Sequence, residues 1–234
     1  FDGRTVSAEE AGKLKKILQG KQVRFSVNED LIGNIWDDRP ALSCEPVMEL
    51  SEKWAGRSRA DKIREIRSKL KEKDADLFVL TSLDDIAWLL NVRGNDISYV
   101  PVVLSYLALT QEQCIWFLQE EVVDDTLREY LQKNGITTRP YEAFYEYVKT
   151  LENQTILLNR AVVNTKICNN LPESAQMIDA EDPTLEMKAV KNETEISNTR
   201  KAHVKDAVAM CRFMYWLKKN VGKIPMTEIS ASDY

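Results

Sequence analysis

LFVLTSLDDIAWLLNVRGNDISYVPVVLSYLALTQEQCIWFL, residues 77–118, decides the fold. LFVLT (77–81) is a short unbroken apolar run and predicts a buried strand. SLDDIAWLL predicts a short buried helix over 83–90, with Asp84 and Asp85 in the first turn, where acids favour the helix dipole. A long strand is expected over 99–109, and QCIWFL (113–118) predicts a second, paired with it across a turn at Gln111-Glu112. Arg93, Gly94, Asn95 and Asp96 stand between the helix and the long strand, so a cation, a flexible residue and a carboxylate occupy the joint of two core elements.

The same alternation continues outward. Downstream come a helix (121–133) stopped by Gly135, a strand ITTRP (136–140) and a helix (142–151). A strand TILLN (155–159), a helix (161–170) and a strand AQMIDA (175–180) follow. Upstream, Ser58 caps a basic amphipathic helix with Ile63, Ile66 and Leu70 at helical spacing. Asp61, Glu65 and Glu72 interleave with its Lys and Arg residues and no aromatic is placed for stacking, so those charges predict a solvated face rather than an RNA or lipid site. Ser7 and Glu10 form a capping box for a helix over 8–19, and QVRFSV (22–27) alternates as a strand would. DDRPALSCEP (37–46) carries two prolines without periodicity and predicts an extended connector. Strands alternating with helices of this length indicate an α/β architecture, a largely parallel or mixed β-sheet sandwiched by helices.

After DAEDPTLEMKAVKN (179–192) the composition changes. Asn192 and Glu195 form another capping box, opening the longest helical pattern in the chain. Its stripe of Ile196, Val204, Ala207, Val208, Cys211, Met214 and Tyr215 ends near Gly222. An apolar face of that length calls for a covering structure.

Composition excludes several function classes. The chain has 234 residues, 44% of them hydrophobic, which suits one or two domains with a substantial core. Lys plus Arg is 32 and Asp plus Glu 37, a net charge of −5 that argues against a nucleic-acid partner. No apolar run is long enough to span a bilayer, and FDGRTVSAEE lacks the features of a signal peptide, so no membrane partner and a cytoplasmic location are expected. Cys44, Cys114, Cys168 and Cys211 lie far apart in or beside apolar stretches and predict buried free thiols. The eight glycines include no pair two, four or five apart, excluding a dinucleotide fingerprint, a G-x-S-x-G elbow and a P-loop. His203, the single histidine, sits at the edge of the long helix's stripe and predicts a packed, hydrogen-bonded residue rather than a ligand. From the residues alone, no catalytic or metal-binding set can be assembled.

Three segments nevertheless resemble one family. TSLDDIAWLLNVRGNDISYVPVVLSY (81–106) is similar to the middle domain of three-domain Xaa-Pro aminopeptidases (aminopeptidase P), of the creatinase/prolidase-like metallopeptidases. LIGNIWDDRPALS (31–43) resembles the end of their first domain, and MKAVKNETEISNTRKAHVKDAVAMCRFMYWL (187–217) with TEISASD (227–233) resembles the linker and opening helices of their catalytic domain. The resemblance implies an end of the first domain and connector over 1–45, a creatinase N-terminal-like middle domain over 46–182, and over 183–234 a linker and long helix opening a truncated pita-bread domain. It further implies a parent enzyme that removes the N-terminal residue from peptides with proline second, using two divalent metals, typically manganese. The family's ligands, two Asp, one His and two Glu, lie downstream; His203, Asp206, Glu228 and Asp233 match none of them, so this chain alone is expected to be inactive and to hold no metal. A homodimer, and contacts with its own catalytic domain, are expected. Arg93, Asn95 and Asp96 are then expected to border the substrate entrance, positioning peptide or neighbouring domain without cleaving bonds, while Gly94 permits a sharp turn. The alternative for the loop is a plain turn whose Asp96 bonds backbone amides. The alternatives for the protein are a non-enzymatic pita-bread relative binding peptides or histones, or an independent α/β interaction domain.

Overall fold

Apolar side chains leave both faces of the central strands, and this is what builds three layers in the larger of the chain's two units. In the computed structural model, which describes residues 1–233, the chain forms two compact units: residues 1–52 with 57–190, and residues 53–56 with those from 191 onward. In the first unit, α1 (Ala8–Ile17) precedes β1 (Met48–Glu49), α2 (Glu52–Ala55) begins at its edge, and α3 (Arg59–Glu72) leads into β2 (Leu77–Leu80). Next come α4 (Leu83–Leu90), β3 (Val92–Arg93), and the hairpin of β4 (Ser105–Thr110) and β5 (Cys114–Leu118). The unit closes with α5 (Asp125–Lys133), β6 (Ile136–Pro140), α6 (Ala143–Lys149), β7 (Thr155–Leu158), α7 (Thr165–Asn170), β8 (Gln176–Asp179) and α8 (Pro183–Ala189).

Six strands make one mixed sheet in the order β6-β5-β4-β2-β7-β8. β4 runs antiparallel to both β2 and β5, whereas the β2–β7, β7–β8 and β5–β6 pairs are parallel. Alternation along each strand deals its side chains to two cores. Phe78, Leu80, Leu107, Trp116 and Leu157 join Ile63, Ile66, Leu70, Leu89 and Leu131 from α3, α4 and α5. Leu77, Val79, Ala108, Phe117 and Ile156 join Phe144, Val148 and Ile167 from α6 and α7. The mixed α/β sandwich is therefore as the sequence predicts, including the β4–β5 hairpin over Gln111-Glu112.

Several boundaries differ for identifiable reasons. QVRFSV forms no strand: among the described residues, 22–27 have no partner strand, and isolated contacts tie this stretch to the N-terminal residues, from the Phe1 amine to the Ser26 carbonyl (3.0 Å), from Gly3 N–H to the Val27 carbonyl (2.8 Å) and between Asp2 and Asn28. The strand expected over 99–109 starts at Ser105, because Pro101 has no N–H and the Leu104 amide is taken by the Asp96 carboxylate at 2.7 Å. Caps move two helix starts: the Asp124 side chain accepts from Leu127 N–H and Asn164 from Ile167 N–H, so α5 and α7 begin just after them.

The second unit consists chiefly of α9 (Glu193–Asn220), followed by α10 (Glu228–Ser232). Asn192 and Glu195 complete the expected capping box, each side chain accepting from the other's backbone N–H at 2.9 Å. Asn192 and Asn198 donate to the carbonyls of Ala55 and Trp54, tying 53–56 to the start of α9. No residue of α9 is buried within this unit, and Val204, Val208, Met214 and Tyr215 of its stripe are exposed.

Candidate functional site

The joint between α4 and β4 holds a buried cation and a buried amide, Lys62 and Asn91. α4 ends at Leu90 because Asn91 turns into the left-handed region (φ 52°), a conformation Asn tolerates well. That turn points helix carbonyls at two cations. Lys62, from α3, is 1% exposed and donates to the Trp88 carbonyl and to Asn91 Oδ1, both at 2.7 Å, with its amine 4.1 Å from the centre of the Trp88 ring. Arg93 donates from Nη1 to the carbonyls of Ala87 (3.2 Å) and Val92 (2.7 Å). Cations at a helix C-terminus satisfy its last carbonyls and complement its dipole. Asn91 also donates from Nδ2 to the Arg57 carbonyl at 2.9 Å, and its own carbonyl accepts from Leu50 N–H at 2.8 Å.

Beyond Asn91, Arg93 pairs with Met48 in the two-stranded β1–β3 ladder. Gly94 is buried and its φ lies outside the left-handed region, so its role is close approach and not the sharp turn expected of it. A Cβ there would sit 2.7 Å from Val103 Cγ2 and 2.8 Å from the Val102 carbonyl. Asn95 is exposed. Asp96 is half-buried and accepts from two backbone amides, Glu45 N–H at 3.2 Å and Leu104 N–H at 2.7 Å. The loop is thereby fastened to the connector before β1 and to the approach of β4. Ile97, Tyr99 and Val100 project outward from this base, Tyr99 at φ 66° and fully exposed.

Arg93, Asn95 and Asp96 thus lie on one short loop, but Arg93 and Asp96 spend hydrogen bonds on backbone while Asn95 faces solvent. Sequence reasoning missed Lys62 and Asn91. The charges of α3 are not all a solvated face: Lys62 is buried, and Arg59, 3% exposed, pairs with Glu49 at 2.6 Å and lies over the Tyr130 ring. The usable signal was position, since Arg59 and Lys62 flank the apolar stripe Ile63, Ile66 and Leu70 at helical spacing.

The remaining chemistry-bearing residues are scattered. His203 is exposed on α9 and not packed as expected. All four cysteines are free thiols, but Cys44 and Cys211 are exposed; Cys114 is fully buried, which pushes its thiol up to about 12. Among the described residues no group of three or more His, Cys, Asp or Glu side chains could hold a metal ion. No helix among them is long and apolar enough to cross a membrane.

Comparison with known proteins gives this frame a family context. The profile of the Creatinase/Prolidase N-terminal domain family matches residues 38–195. A probable Xaa-Pro aminopeptidase P of Laccaria bicolor is 34% identical over 232 residues, covering 94% of this chain and 35% of that protein. Xaa-Pro aminopeptidase 1 of Dictyostelium discoideum is 31% identical, covering 94% of this chain and 36% of its own length. The crystal structure of an X-prolyl aminopeptidase from Caenorhabditis elegans, described as a cytosolic enzyme with a di-nuclear active site, superposes with a TM-score of 0.89 at 30% identity, covering 100% of this chain and 39% of that one. An Xaa-Pro dipeptidase from Bacillus anthracis, at 15% identity and a TM-score of 0.51, shares the fold. The chain spans about a third of the length of the curated relatives it matches.

Proposed function

Because the chain belongs to the creatinase/prolidase N-terminal domain family, we propose that it is the non-catalytic part of a metal-dependent aminopeptidase that removes the N-terminal residue from peptides with proline in second position. The observation that carries this reading is the superposition of the whole chain on 39% of an X-prolyl aminopeptidase at a TM-score of 0.89. In this reading residues 1–45 close a first domain, 46–182 form the middle domain, and 183–234 open the catalytic domain. The two divalent metals, manganese in this proposal, are held outside this chain, whose described residues include no group of three or more His, Cys, Asp or Glu side chains that could hold a metal ion. The protein works in the cytoplasm as a homodimer. A peptide- or histone-binding role gains no support from relatives named as aminopeptidases. To test the assignment, an Xaa-Pro peptide is incubated with manganese and either this chain or the longer protein, and release of the first residue is measured. Activity is expected from the longer protein only; turnover by the purified chain overturns the reading.

The loop at 93–96 then borders the substrate entrance. Arg93 and Asp96 hold its shape through backbone hydrogen bonds, and Asn95 is the side chain left to meet the peptide or the catalytic domain. In the longer protein, Asn95→Ala is expected to lower kcat/KM by roughly two- to tenfold at unchanged Tm, the worth of one neutral hydrogen bond. Arg93→Ala is expected to cost about tenfold or more and to lower Tm as well, since charge-assisted bonds at the end of α4 go with it. Wild-type kinetics in both variants would make the loop a structural turn.

A further inference from the structure

Lys188 and three carboxylates lie at the contact of α8 with α4, two acids more than the one ammonium can neutralise. Lys188 of α8 pairs with Asp85 Oδ1 at 2.5 Å and with Asp84 Oδ2. Asp85 is 3% exposed, and Asp182, at the start of α8, is 6% exposed. Among the described residues no hydrogen bond or ion pair reaches the Asp182 carboxyl. It occupies the N-cap position, where an aspartate ordinarily accepts from the helix's first amides, yet its side chain makes no such bond. The buried hydroxyls of Thr81 and Thr184, at the starts of the same two elements, also lack partners, so neither is engaged in neutralising the extra acid. Fully ionised, the cluster would hold two uncompensated negative charges, one of them on a buried and unpaired group, which is a costly arrangement.

We propose that α8 is latched onto α4 by a proton: Asp182 seats as the neutral acid, and its ionisation loosens α8 from the fold. A proton is the cation this cluster admits, because no set of three ligating side chains among the described residues could hold a metal and the Lys188 ammonium already occupies the space beside Asp85. The other charged groups facing the contact do not supply a partner. Lys69 of α3 is engaged with Glu186 at 3.6 Å, and Asp84 is taken up by Lys188. Burial, then the neighbouring Asp85 charge, push the Asp182 carboxyl up to about 7. These outweigh the helix dipole of α8, which would favour the ionised form.

The sign follows from linkage. A carboxyl raised from its ordinary value of 3.8 to about 7 binds its proton more tightly when α8 is seated. The latch is therefore fully closed below the lower value and weakens as pH rises toward the upper one, by up to about tenfold per pH unit, then levels off. α8 is the last element before residue 191, so loosening it adds slack to the connection that leads into the second unit.

Hydrogen exchange on this 234-residue chain, corrected for intrinsic rates, reads the latch directly. Protection of the amides of α8 is expected to fall steeply between about pH 5 and 7 and to flatten above, while β4 and β5 keep theirs. Asp182→Asn, which supplies the neutral form at every pH, should keep α8 protected throughout. Asp84→Asn, at the exposed partner of Lys188, should retain the pH dependence. Protection of α8 that does not change over this range in the wild type, or that falls equally in Asp182→Asn, overturns the proposal.

Discussion

Phe117→Ala is expected to lower the unfolding free energy by about 3–5 kcal/mol, the usual range for deleting a fully buried aromatic ring. Phe117 is wholly buried in β5, with its ring centre 5.1 Å from that of Phe144 and 5.3 Å from that of Tyr147. Those partners come from α6, so truncation opens a cavity between sheet and helix that neither rigid element can close. Its neighbour Trp116 points to the opposite core and makes a useful contrast. Trp116 Nε1 is buried without a partner, so Trp116→Phe loses volume but also removes an unsatisfied donor, and the two effects offset. Urea unfolding checks both, with midpoints shifting at constant m. A Phe117→Ala cost under about 1.5 kcal/mol would mean that the α6–α7 face is loosely packed and that the sheet has one true core.

That adjacent residues serve opposite cores explains why the fold was legible. A strand covered on both sides shows no polar alternation, so LFVL and CIWFL stand out as apolar runs bounded by turn residues. The β4–β5 hairpin was legible because its partners are neighbours in the chain. The sheet order was not: β2 lies between β4 and β7, and nothing local encodes which distant strands pair. QVRFSV shows the converse error, since alternation is necessary for a half-buried strand but a partner must also be present.

The candidate site was legible only in outline. The mismatch of Arg93 to Asp96 with their apolar flanks marked the joint, but the partners that define it come from afar. Lys62 reaches Asn91 across 29 residues, and Asp96 meets the Glu45 amide across 51. Lys188 meets Asp84 across 104, so two acids in the first turn of α4 also pair with a lysine of α8, Asp85 buried and Asp84 exposed. Periodicity reports which face of a helix is apolar; it is silent on a long cationic side chain that enters that face to end another helix.

Lys62→Ala follows from that last point and is expected to cost about 2–4 kcal/mol. Three buried methylenes are lost, at roughly 0.8 kcal/mol each. The Trp88 carbonyl and Asn91 Oδ1 lose a donor, at about 1–3 kcal/mol for a buried acceptor left unmade. Against these stands the relief of no longer desolvating an amine, which keeps the total below the simple sum. Lys62→Met separates the contributions. It restores the apolar stem without the donor, and should recover about 2 kcal/mol while leaving the polar deficit. The deficit should be local: Asn91 is held by Lys62 on one side and by the Arg57 and Leu50 backbone on the other, so its release should raise exchange of the Leu50 and Asp96 amides before that of β4. Under the proposed function, in which the loop at 93–96 borders the substrate entrance, Lys62→Met in the longer protein should then raise KM more than it lowers kcat, because that loop loses its seat. A Lys62→Met chain as stable as wild type, with loop exchange unchanged, would show that the buried amine is merely tolerated at this joint and that Arg93 alone holds the end of α4.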